Sequence, residues 1–445
     1  MMEQHTSYSS TRFLSIALQQ GTATRHMFTF YLACYGSIML ATFVPQTQPF
    51  LLTEVLQIPQ SRQGVVSGNL NFWGEIVIIL TVGIWGTLSD RLGRRLVTFL
   101  GFVLISAGIL LYGFARDVTG LLLARVIYSI GIAAVTTMLI TLMADYVATG
   151  SRGKATGFMG IMNGLGAMTA ALFLLRLPAI FKSGGLDAQG AALATYGTMA
   201  AVTGIMALLT IYGLRKAPGQ TPGTHTPLLQ QLREGLSQAR EPKIALAYAA
   251  SFVARGNLAV VGTFFTLWAA VYGTSQLGMT AAEAVAKGGG VLAISYVASL
   301  LSAPLFGIMT DRVNRITALA ITLTISAVGY GGTLFLDDPF SAATIVCLVF
   351  IGMAEVGCII TSGVLIADQA PDRLRGSVIG VFTLTGAVGI LIASVVGGYL
   401  FDHWLKTGPF VFFGFISSLV LVWAMILRFR DSSQFTSYPQ KDPAF

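Results

Sequence analysis

Charge is what this sequence has least of. Asp, Glu, Lys and Arg make up 10% of its 445 residues, against about a quarter in a soluble domain. So few charges cannot coat a water-facing surface of normal size. That excludes an ordinary cytosolic enzyme, a nucleic-acid binder and a disordered scaffold. Cysteine is scarce as well: Cys34, Cys347 and Cys358 lie in apolar stretches without ligand spacing, which argues against a disulfide framework or a zinc site. His5, His26, His225 and His403 are scattered near ends and loops, so no metal cluster is expected, and no hydrolase elbow is present. Gly153-Lys154 is followed by Ala155 and has no glycine at position 148, which excludes a phosphate loop. No cofactor is implied. The polar first 25 residues lack the charged-then-apolar pattern of a cleaved signal peptide.

What the chain has in plenty is apolar sequence. Hydrophobic residues reach 54% and the mean hydropathy is +0.73. A helix needs about 20 mostly apolar residues to cross a bilayer. Twelve segments qualify, at roughly 27–47, 64–87, 96–114, 119–143, 155–175, 191–213, 244–272, 288–310, 316–336, 341–366, 376–400 and 408–427. They do not alternate apolar with polar as β-barrel strands would. The expected fold is an all-α membrane protein of twelve transmembrane helices. Nineteen basic residues fall in the N-terminal tail, the even-numbered loops and the C-terminal tail, against six in the odd-numbered loops. Basic loops stay cytoplasmic, so both termini are expected there. Topology then accounts for the net charge of +8, with no need for an acidic partner.

A polar linker divides the spans six and six. The expected organisation is a tail (1–26), a six-helix bundle (27–214), a cytoplasmic linker (215–243), a second bundle (244–428) and a tail (429–445). The linker carries Pro218, Gly219, Pro222, Gly223, Pro227 and Pro242. Between Pro227 and Arg240, Leu229, Leu232 and Leu236 are spaced helically opposite Arg233 and Arg240. An amphipathic helix on the membrane surface and a flexible connector both fit. The halves repeat. Gly86, Asp90, Arg91, Gly93 and Arg94 return as Gly307, Asp311, Arg312, Asn314 and Arg315, offset by 221. Gly and Asn are the residues that best tolerate a left-handed turn. Asp145 and Arg152 return as Asp368 and Arg375, offset by 223. Two matches at nearly one offset imply a parallel repeat about an axis along the membrane normal. Gly153, Gly157, Gly160 and Gly164 have the small-xxx-small spacing of close helix packing.

Gly86 to Arg95 closely matches the loop signature of the major facilitator superfamily, and the chain resembles that family over essentially its whole length. Arg125 with Gly131 resembles the family's arginine motif, with Ser129 where a glycine is usual. Pro45 and Pro49 resemble a proline pair of its exporters, whereas Gly157 to Gly166 lacks the proline of the drug antiporters. The resemblance implies two bundles rocking about a central cavity. It also implies a gate in which Asp90 meets the start of the eleventh helix near Gly376, with Asp311 facing the fifth near Gly153. Arg94 with Asp145, and Arg315 with Asp368, complete the networks. Loop charges that only set topology are the alternative.

Glu75, Arg125, Arg255 and Glu355 fall inside spans. A charge at mid-bilayer costs on the order of 3 kcal/mol, so such residues should face the cavity or one another. Structural pairing between helices is the rival account. Arg255 and Glu355 are the first candidates, because the resemblance places their helices around the cavity. Asn69, Asn71 and Trp73 fit either the cavity or an interface. The expectation is a secondary active transporter, not an enzyme, moving a small organic solute by alternating access. Protons are the coupling ion, export is favoured, and a monomer works in the bacterial inner membrane. Proton-linked uptake of a metabolite, an anion among the options, and a non-transporting sensor are the alternatives.

Overall fold

The computed structural model describes residues 12–216 and 228–436. His5, His225, Lys441 and the linker residues Pro218, Gly219, Pro222, Gly223 and Pro227 lie outside them. Among the described residues, twelve helices are long and apolar enough to cross a membrane. The described residues begin with a hairpin, β1 (Arg12–Phe13) and β2 (Ile16–Ala17). The chain continues through α1 (Thr24–Phe50), α2 (Gln63–Leu92), α3 (Arg94–Phe114), α4 (Val118–Tyr146), α5 (Arg152–Leu172), the short α6 (Leu177–Ser183) and α7 (Ala188–Gly213). The linker helix α8 (Leu228–Ser237) leads to α9 (Pro242–Gln276), α10 (Ala281–Arg312), α11 (Arg315–Gly332), α12 (Ala342–Gln369), α13 (Arg375–His403) and α14 (Gly408–Thr436).

Helix starts follow from the sequence. Asp117 caps α4 by accepting from the Gly120 N–H at 2.7 Å, and Asp187 caps α7 through Gly190 at 2.9 Å. Thr280 and Glu283 form a reciprocal capping box on α10. Gly93, between α2 and α3, has φ +87°, open to glycine and strained for other residues. Its counterpart Asn314 departs from the left-handed expectation. It sits at φ −55°, and its side chain instead accepts from the Ile316 N–H at 2.9 Å, capping α11. The same turn is thus made by backbone freedom in one copy and by a side-chain cap in the other.

The chain divides into two compact units. Among the described residues, unit 1 holds 12–47, Glu54–Leu56 and 73–216; unit 2 holds Gln48–Thr53, Gln57–Phe72 and 228–436. Apolar burial drives little association in lipid, so close backbone approach has to supply contact. In unit 1, a Cβ on Gly108 of α3 would lie 2.6 Å from the Tyr128 nitrogen of α4. The small-residue stripe of α5 does not behave as its spacing suggests: Gly153, Gly157 and Gly160 face open space. Gly166, outside the stripe, meets the Tyr35 carbonyl of α1 instead. In unit 2, α8 docks on the second bundle. Leu232 packs on its core, and the Tyr248 hydroxyl donates to the Gly235 carbonyl at 2.9 Å. Glu234 accepts from Ser377 of α13 at 3.2 Å.

Candidate functional site

The repeated loops build two copies of one clasp. In the first, Arg94 donates to Asp90 one turn earlier at 2.5 Å and reaches Asp145, at the end of α4, at 3.5 Å. It also bonds Ser89. In the second, Arg315 holds Asp368 at 2.7 Å and Asp311 at 4.0 Å. Arg152 donates to the Ala144 carbonyl at 3.2 Å, and Arg375 to the Ala367 carbonyl at 3.3 Å, each just before the clasp's acid. Ser89 and Thr310 repeat as well, each donating to a carbonyl three residues earlier, at Gly86 and Gly307. The copies differ in burial: Asp90 is 20% exposed and Asp311 82%. Arg91 and Arg312 point to the surface, and nothing lies within 4 Å of a Cβ on Gly86, Gly307 or Gly376.

Sequence reasoning missed what the N-terminal segment does at the first clasp. Leu18 bridges to Val147, the Gln19 N–H donates to the Tyr146 carbonyl at 2.9 Å, and the Ala148 N–H donates to Ala17 at 3.1 Å. Arg215, just past α7, joins in. Its backbone donates to the Tyr146 hydroxyl at 2.9 Å and its guanidinium to the Gln20 carbonyl at 3.0 Å. Gln19, Gln20, Arg94, Asp145, Tyr146, Arg152 and Arg215 line a polar cavity of about 480 Å³. Two-residue strands carry no periodic signal, so the docked tail was not readable.

The four charges inside spans fall in different surroundings. In unit 1, Arg125 lies 5.5 Å over the Tyr128 ring. Its Nε is 2.6 Å from where a Cβ on Gly74 would stand, so α2 has a glycine where α4 places the guanidinium. The stacked pair Tyr112 and Tyr196 is buried nearby in the same helix set. Glu75 is half-buried on α2. In unit 2, Glu355 is 4% exposed and receives the Tyr330 hydroxyl of α11 at 3.5 Å. Its neighbour Ala354 belongs to an aromatic-rich cluster with Phe264, Trp268 and Phe410. Arg255 is exposed on α9 and runs along Gly386 of α13. No ion pair joins it to Glu355 among the described residues. Asn71 bonds Thr263, Trp73 is half-exposed and Asn69 is exposed.

The described residues thus hold twelve spans, a repeated Asp–Arg–Asp clasp and ionisable groups within the spans. Residues 27–294 and 285–443 match the Major Facilitator Superfamily. The chain belongs to that family. It is similar to the magnetosome protein MamH of Paramagnetospirillum magneticum, with 28% identity covering 90% of this chain and 92% of MamH. It is similar to the magnetosome protein MamZ of Magnetospirillum gryphiswaldense at 28% identity over 89% of this chain, and spans 61% of MamZ. The fold is that of the nucleoside transporter NupG, with a TM-score of 0.71 at 14% identity, covering 90% of this chain and 98% of that one. This member of the major facilitator superfamily is an integral membrane protein.

Proposed function

We propose that the protein is a proton-coupled secondary transporter that exports a small organic solute by alternating access. In this reading it works as a monomer, with both termini and the linker in the cytoplasm. The division into bundles at 27–214 and 244–428 supplies the two rocking halves, and the two clasps steady the cytoplasmic loops that must open and close. The observation that carries the coupling is Glu355, buried at mid-span with one neutral hydroxyl as partner. A carboxylate in such a place is tolerated more easily when it can take up and give back a proton. Glu75 is the second candidate. Export is favoured because the loop signature is shared with the family's exporters.

Proton-linked uptake of an anionic metabolite is a second reading. It is favoured by Arg125, a guanidinium set among tyrosines in unit 1, where a carboxylate would be bound by charge and hydrogen bonds.

The test compares gradient-driven transport with solute exchange in liposomes, at matched protein amounts. Glu355→Gln is expected to abolish accumulation against a gradient and to leave exchange largely intact, because exchange needs no net proton movement. A residue with a purely structural role would impair both modes together. If Glu355→Gln and Glu75→Gln both concentrate solute as the parent does, a uniporter replaces the proton-coupled reading.

A further inference from the structure

Asp402 lies at the last turn of α13, where a negative charge opposes its own helix dipole. Its placement makes sense only against another element. One carboxylate oxygen accepts from the Gly64 N–H at 2.8 Å and the other from the Val65 N–H at 2.7 Å. These are first-turn amides of α2, which have no acceptor within their own helix. The carboxylate therefore sits at the positive end of α2, an arrangement worth more than a neutral hydrogen bond.

Below this contact the two backbones touch. A Cβ on Gly68 would lie 2.1 Å from the Ser394 carbonyl, and one on Gly398 would lie 2.6 Å from the Gly64 carbonyl. Gly64 and Gly68 on α2, with Ser394, Gly398 and Asp402 on α13, are four residues apart along each helix, so each set forms one contact stripe. Lys406 lies just beyond, donating to the Phe401 carbonyl at 3.1 Å and stacked 4.6 Å over the Phe401 ring. Gln60 donates to Thr274 of α9 at 3.1 Å, a second polar tie at the same end of α2. This end of α2, Gln57–Phe72, is packed in unit 2, while Trp73 onward is packed in unit 1.

We infer that Asp402 is a positioning residue for transport: a latch that holds the outer end of α2 against α13 and must release when the outer side opens. The inference rests on the alternating-access reading. It assigns α2 a carboxylate contact at each end, Asp90 with Arg94 at one and Asp402 at the other.

The test needs no known solute. Ser394→Cys, buried under Gly68, is placed in a protein whose Cys34, Cys347 and Cys358 are replaced by Ala, and an impermeant thiol reagent is added outside. Slow labelling is expected with Asp402 present. Asp402→Ala should raise the rate at least about tenfold, and Asp402→Asn less, since an amide keeps one acceptor oxygen. Gly68→Leu, which forces the backbones apart without touching a charge, should raise it too. A Ser295→Cys reporter, buried where α10 meets Gly352, should stay unlabelled in every variant, which separates latch release from loss of folding. Labelling raised by Gly68→Leu but not by Asp402→Ala overturns the latch and leaves alternating access standing. Labelling raised by neither overturns both. Equal gains at Ser295→Cys also overturn the latch, because Asp402 would then hold the fold as a whole.

Discussion

Arg94 and Arg315 hold equivalent positions in two copies of one loop, yet their surroundings differ. The Arg94 side chain is 16% exposed and engages three partners, whereas Arg315 is 31% exposed and one of its two acids stands in water. Removing Arg94 leaves a half-buried carboxylate without its cation, which costs about 1–3 kcal/mol. Removing Arg315 breaks a pair close to the surface, worth at most about 1 kcal/mol. Thermal unfolding in detergent should show the midpoint of Arg94→Ala falling further than that of Arg315→Ala. Equal shifts would mean that burial does not set the strength of the clasps. Both arginines and their acids were legible as a repeat, because identity and spacing alone pair Asp90 with Asp311. Their unequal burial was not legible, since it depends on what packs over each loop. Gly93 and Asn314 show the same limit: two residue types suited to one turn, and only one of them takes the positive φ.

The linker helix was half legible. Leucines at helical spacing indicated an amphipathic segment, and α8 forms over Leu228–Ser237. Its partner could not be read, because Ser377 and Val381 of α13 are more than 100 residues downstream. Contact there depends on Gly235, where a Cβ would lie 2.4 Å from the Ser377 carbonyl. Gly235→Val should lift α8 from α13 while leaving the spans intact. Hydrogen exchange would then rise across 228–237 and stay unchanged in the middle of α9. Protection equal to the parent's would mean that α8 is held by its leucines alone. The stripe on α5 failed for the opposite reason. Small-xxx-small spacing marks a face that can approach a neighbour, but Gly153, Gly157 and Gly160 have none within reach.

For the molecule entire, twelve spans were readable because lipid demands long apolar helices that satisfy their own hydrogen bonds. Orientation rests on the basic residues of the loops, and single-cysteine labelling checks it. With the native cysteines removed, Arg240→Cys should resist an impermeant reagent added outside intact cells, and Gln276→Cys should react. Labelling of Arg240→Cys from outside would invert the topology. The helix count says nothing about which charged residues meet. Arg255 and Glu355 lie at similar depth along α9 and α12, yet one is exposed beside α13 and the other is closed against Tyr330. Rotation about a helix axis decides that, and these spans are apolar nearly all round, which leaves the rotation without a strong sequence signal.

The docked N-terminal hairpin has a consequence for the order of synthesis. Ala17, Leu18 and Gln19 find their partners in Tyr146, Val147 and Ala148, and Gln20 finds its partner in Arg215. Translation runs from the N-terminal side, so this segment leaves the ribosome well before its partners and waits for about 130 further residues before the α4 end exists to receive it, and for α7 to finish before Arg215 arrives. A stretch of unit 1 made before α1 is thus among the last to be placed. Docking of the hairpin would report that the end of α4 and the residue after α7 are in position.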